Sequence, residues 1–192
     1  VSENDRLLIA GSFDEQDPDC IFDCVIALSL DGSISASFSM TGVSVKHMSL
    51  QHDGKILVTG NFSKINDHTT YYVGRIMPNG GADGTFSNTE MRYASMKVIR
   101  QRAGGKILVG GSWRWLGESA SINRVAQLSS SGARDVSFDE PMFSSLIFAL
   151  SVPSNFEFIV GGMFEIVNGT ARNGLARFLM ERPDPVFHNG FD

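Results

Sequence analysis

Apolar and polar residues alternate along this chain in short bursts that return at a fixed interval. The run Lys55-Ile56-Leu57-Val58-Thr59-Gly60-Asn61-Phe62 is echoed by Lys106-Ile107-Leu108-Val109-Gly110-Gly111-Ser112-Trp113. It returns as Glu157-Phe158-Ile159-Val160-Gly161-Gly162-Met163-Phe164 and, near the start, as Arg6-Leu7-Leu8-Ile9-Ala10-Gly11-Ser12-Phe13. The glycines Gly11, Gly60, Gly111 and Gly162 are spaced by 49, 51 and 51 residues, a register that chance does not keep. Each burst predicts a strand, and the interval predicts a repeat protein.

Three further elements recur in the same order. Val25, Val73, Val125 and Leu175 hold one slot in a second strand, seen most clearly in Asn123-Arg124-Val125-Ala126-Gln127-Leu128 and Asn173-Gly174-Leu175-Ala176-Arg177-Phe178. The alternation of large and small residues there gives that strand one buried face. A third element ends on a phenylalanine: Asp83 to Phe86, Asp135 to Phe138, Asp184 to Phe187 and, with Ser35 for Asp, Ser35 to Phe38. Asp or Ser can accept a bond from the backbone two residues on, fixing a turn that drops the Phe into the core. Strand-like stretches beginning at Val45, Met96 and Leu146 precede the glycine strand through turns at Asp53-Gly54, Gly104-Gly105 and Ser154-Asn155. Asp-Gly between two strands is a strong hairpin signal.

One period thus reads as three clear strands and a short fourth ending on the Phe, the signature of a propeller blade. No stretch carries the helical period. The expected fold is all-β: a β-propeller-like array of four antiparallel blades of about fifty residues each, part of a larger or inter-chain ring. The units run approximately over residues 1–42, 43–90, 91–141 and 142–192 of one repeat domain. Each unit cannot bury both faces alone, so neighbours must stack.

These residues resemble the delta-60 repeat family, whose units run as DGKILVGG-x-F, then NGT-x-RN-x-[IL]-A-R-[LF], then DG, then D-x-x-F. The fourth unit fits closely, with Gly161-Gly162-Met163-Phe164 and Asn168-Gly169-Thr170-Ala171-Arg172-Asn173; the third and second follow, and the first is most eroded. Gln16 departs from the apolar Ile65, Leu116 and Val167 of the other units, which puts the first unit's loop in doubt. The resemblance implies a propeller-like β fold and an occurrence in bacterial surface or secreted proteins and phage tail proteins, and it transfers no catalytic residue. The Gly-His and Trp-Asp dipeptides of WD40 blades are missing.

Composition narrows the function classes. A net charge of −5 argues against nucleic acid, which rewards a basic face. No apolar run approaches the roughly 20 residues of a membrane-spanning helix. The 20 glycines and 14 phenylalanines are the excess that the repeat explains. Cys20 and Cys24 form neither a disulfide framework nor a zinc site.

Candidate chemistry is sparse. Gly104-Gly105-Lys106 looks like the end of a phosphate loop, but Ile107 stands where Ser or Thr belongs. His47, His52, His68 and His188 keep no metal spacing, and Asp14, Asp17 and Asp19 lack the glycine and distant Glu of a calcium loop. No enzyme, cofactor or metal is expected. Trp113 occupies the repeated Phe slot and reads as core. Trp115 occupies a slot held elsewhere by Lys64 and Ile166, which reads as exposed; with Arg114 it forms a surface for a sugar ring or a protein partner. Rim packing is the competing role for that indole. Tyr71 and Tyr72 are the second aromatic pair.

Two functions follow as expectations. The first is a non-enzymatic structural or attachment module of a surface or virion (phage tail-like) assembly, hence extracellular or surface-exposed. The second is a stand-alone glycan- or ligand-binding β-propeller using Trp115, Arg114, Tyr71 and Tyr72. The strand Arg6 to Phe13 has only Val1 to Asp5 before it and is expected to carry an unpaired edge for a protein partner or sibling subunit.

Overall fold

In a computed structural model the chain is described over residues 6–12, 23–29, 31–118, 122–154 and 156–180. Its strands are β1 (Arg6–Ser12), β2 (Asp23–Ser29), β3 (Ile34–Leu50), β4 (Ile56–Ile65), β5 (His68–Thr69), β6 (Val73–Ile76), β7 (Met91–Gln101), β8 (Ile107–Trp115), β9 (Asn123–Leu128), β10 (Ile147–Ser154), β11 (Glu157–Gly162), β12 (Ile166–Val167), β13 (Thr170–Ala171) and β14 (Leu175–Leu179). Among the described residues only the short 3-10 turn Ala103–Gly105 interrupts this all-β content.

Every described strand pair is antiparallel, as short turns between strands require. Three sheets repeat one meander: a leading strand, the glycine strand, then a third strand. They are β3-β4-β6, β7-β8-β9 and β10-β11-β14. The hairpin turns fall where Asp-Gly and Gly-Gly predict them. Gly54 adopts φ 77° and donates its amide to Gln51 O at 3.0 Å, while Gly104 and Gly105 adopt φ 69° and 75°. The first unit differs. Its β1 pairs with β2 alone among the described strands and so lies at the sheet edge. Its third partner is β3, which pairs with β2 through Phe38 and Ser39 and continues into the second unit's sheet from Met40 onward.

The short fourth strand expected before each Phe is absent in the described units two and three. An aspartate turn stands there instead. Asp83 Oδ1 accepts from the amide of Thr85 at 3.0 Å and from its hydroxyl at 2.6 Å; Asp135 Oδ1 does the same with Ser137 at 3.1 and 2.6 Å. The carboxylate competes with the ladder for these donors, so sheet pairing shrinks to single bridges, Ile76 to Ala82 and Leu128 to Arg134. Phe86 and Phe138 nevertheless end buried. In the first unit Ser35 replaces the aspartate, and Ser35 to Phe38 is strand, the beginning of β3. The fourth copy, Asp184 to Phe187, lies outside the described residues.

The recurring glycine has a steric cause. A Cβ on Gly60 would lie 2.0 Å from Ser44 O, on Gly111 2.6 Å from Ser95 O, and on Gly162 2.2 Å from Leu146 O. Opposite each, the leading strand slips register, between Val45 and His47, Met96 and Val98, and Ile147 and Ala149. A bulge there swings backbone across the glycine, where no side chain fits.

Alternation along the strands sends residues to two neighbours. Val25 of the first unit joins Ile56, Val58, Phe62, Ile65 and Ile76 of the second. Leu57, Val73 and Phe86 of the second unit join Trp113, Trp115 and Leu128 of the third. Leu108, Val125 and Phe138 of the third join Phe158, Val160 and Phe164 of the fourth. Each unit thus offers one face forward and receives on the other.

Candidate functional site

The exposed tryptophan is not where its slot predicts. Lys64 and Ile166 at the equivalent positions are exposed, but Trp115 is only 2 % exposed. Its indole meets Trp113 edge-on at 5.8 Å and donates Nε1–H to Glu140 Oε2 at 3.3 Å. The Arg134 guanidinium lies 4.6 Å above the ring and is itself held by Glu118 and Glu140 at 2.6 and 3.0 Å. Burial pushes the Glu140 carboxyl up, against the lowering pull of its bonds to Trp115 and Arg134. The third unit therefore supplies a charged lid, and the indole packs beneath it. The competing role, rim packing, is the one observed.

The other three candidates divide between inside and outside. Tyr72, at φ 65°, packs against the cluster that contains both tryptophans. Tyr71, half-buried, lies 6.5 Å from it and beneath the Arg92 guanidinium at 5.3 Å. Arg92 is the cross-strand partner of Arg114 and donates to Thr89 O and Met91 O, each at 2.7 Å. Arg92 thus lies against Tyr71 and opposite Arg114, all three half-buried, and Tyr93, the next residue along the strand, at φ 51°, is 84 % exposed. An exposed tyrosine ring near guanidinium groups is the chemistry that meets hydroxylated or anionic rings. Arg92 and Tyr93 have no counterpart in the repeat pattern. The signal that marks them is the slip between Arg92 and Ser95, visible only in the sheet register.

The remaining ionisable groups tie the fold. Arg75 donates through Nε to Asp83 Oδ2 at 2.8 Å and through Nη1 across the unit boundary to Ser130 O at 2.9 Å. Lys55 approaches the same carboxylate at 3.3 Å. In the third unit Lys106, the lysine of the phosphate-loop look-alike, and Gln127 hold Asp135, each at 2.7 Å. His47 accepts from Arg100 at 2.7 Å through Nε2, in a cleft of about 520 Å³ that Ala10, Met48 and Leu50 also line. Burial, then the Arg100 charge, lowers the His47 pKa to about 4, so the ring is neutral at pH 7. His68 contacts Phe86 O through Nε2 at 2.9 Å. Among the described residues no group of three or more His, Cys, Asp or Glu side chains could hold a metal. Asp14, Asp17, Asp19, Cys20 and His188 lie outside them.

Asp83 carries a pH prediction. Burial alone would raise its pKa, but the Thr85 hydroxyl and amide, then Arg75, outweigh that and hold the carboxyl well below the usual range. A folded-state pKa below the unfolded value of about 3.9 stabilises the fold fully above about pH 5, and this is lost as pH falls. Asp83→Asn should cost about 2 kcal/mol at pH 7 and flatten the acid limb of stability between about pH 5 and 2. Urea titrations at stepped pH check this, and an unchanged acid slope would refute it.

Comparison with known proteins bears on the repeat. The model of a family described as "Domain of unknown function (DUF5122) beta-propeller" matches residues 51–86 and 105–138. Both stretches run from the hairpin turn, along the glycine strand and the third strand, to the aspartate-turn phenylalanine. The second and third units are thus similar to the repeats of a β-propeller family, though not to the delta-60 family specifically. No curated protein and no solved structure matches the chain.

Proposed function

We propose that this chain is a non-enzymatic structural or attachment module of a surface or virion assembly, four propeller-type units forming part of a larger or inter-chain ring. The observation that carries this reading is the edge position of β1. Among the described strands, the glycine strands β4, β8 and β11 are flanked on both sides and β1 on one, which offers its backbone donors and acceptors as a template for an added strand. The delta-60 resemblance adds the setting, a bacterial surface or phage tail, outside the cytoplasm. Among the described residues no helix is long and apolar enough to cross a membrane.

Amide exchange over Leu7 to Ala10 tests the reading. It should be fast in the isolated monomer and slow in the assembly; slow exchange in a proven monomer would overturn it. The glycan-binding alternative draws on the outer Tyr71, Arg92, Arg114 and Tyr93 patch now that Trp115 is buried. Retention of the monomer on a glycan array, lost in Tyr71→Ala, would favour that alternative.

A further inference from the structure

Read in register, the unit-to-unit contact is made three times, and among the described residues one half of it stays exposed in the first unit and the other half in the fourth. Val25, Val73 and Val125 occupy one slot, are each 0 % exposed, and are each covered by the following unit. Leu175 occupies that slot in the fourth unit and is 65 % exposed. Its neighbour on the glycine strand repeats the contrast: Leu57 and Leu108 are fully buried, and Ile159 is half-buried.

The receiving face shows the mirror image. Ile56, Ile107 and Phe158 are buried beneath the preceding unit's residues, and Leu7 at the same slot is 51 % exposed. Ile76 and Leu128 are 0 % exposed, whereas Leu28 in the first unit is half-buried. Among the described strands, β1 and β2 make no extended contact with β10, β11 or β14, so these strands do not close the two faces on each other.

We propose that the fourth unit of one copy stacks its Ile159–Leu175 face on the Leu7–Leu28 face of the first unit of a second copy, head to tail. The occupant follows from the chain itself: the surface that covers Val25, Val73 and Val125 is the receiving face of a unit of this kind, and the first unit carries an unused one. Such a contact joins two different patches, so it propagates, giving a ring if the rotation closes and a filament if it does not. The inference rests on the inter-chain assembly proposed above and names its partner. It concerns side-chain faces rather than the β1 edge.

Sedimentation velocity of the full chain over a concentration series tests it, with Leu175→Glu and Leu7→Glu. The wild type should self-associate. Each variant alone should weaken association at least about tenfold, since a buried leucine is exchanged for a charge. Neither should lower the melting temperature of the monomer. An equimolar mixture of the two should form a dimer that grows no further, because one intact donating face meets one intact receiving face.

A wild type that stays monomeric overturns the proposal, as do variants that associate like it or a mixture that fails to complement. A Leu175→Glu monomer that melts markedly lower also overturns it, placing another part of the same chain on that face. Slow exchange at Leu7 to Ala10 in an assembly that both variants leave unaffected would sink this stacking and leave the edge reading standing.

Discussion

Replacing Trp115 by alanine is expected to cost about 3–5 kcal/mol, the range for truncating a fully buried aromatic. At 2 % exposure the indole fills space beside Trp113, and its loss would also remove the surface on which Arg134 lies and the donor to Glu140. Glu140 would then be left with Arg134 alone in a site where burial already raises its pKa. Set against a typical total stability of about 5–15 kcal/mol, such a loss is visible in a single guanidinium titration. A cost below about 1 kcal/mol would mean that the ring stands in solvent, and the recognition role for Trp115 would return.

Gly60→Ala should be comparably damaging, for the opposite reason. The added methyl would stand 2.0 Å from Ser44 O and 2.9 Å from Val45 Cα, both backbone atoms, so relief requires the leading strand to leave its bulge. Overpacking costs about 1–3 kcal/mol where side chains can yield. Here the backbone must move, and a loss of at least about 3 kcal/mol is expected. Gly84→Ala is the control: nothing lies within 4 Å of a Cβ there. Equal melting temperatures for the two variants would contradict the steric account of the repeat.

That account explains what the amino-acid order discloses. A glycine held by close backbone approach, and an apolar residue covered by the next unit, are constraints of one position, so they recur as letters: Gly60, Gly111 and Gly162, or Val25, Val73 and Val125. The side on which Trp115 packs is a property of its environment. Arg134 and Glu140, which enclose it, flank the repeated turn Asp135 to Phe138 at positions where the second unit has Ala82 and Asn88, although strand parity with Trp113 places both indoles on one face of β8. The closing Phe was legible as a buried residue. Its backbone was not, because an aspartate at that spot can serve a turn or precede a strand, and only the competition for the Thr85 and Ser137 donors decides. Arg92 and Tyr93 owe their placement to a register slip that no local composition encodes.

The continuous strand β3 makes the first junction mechanically unlike the others. Between the second and third units, and between the third and fourth, the chain leaves one sheet through turns before entering the next. Between the first and second it does not: the same backbone that closes the first sheet on β2 opens the second on β4. Tension applied at β1 reaches β4 through three successive antiparallel ladders, the last two on one extended strand, with no loop in series with them to stretch. The first two units therefore bear load as a single beam, and compliance in the array is concentrated in the turn-rich connections that follow.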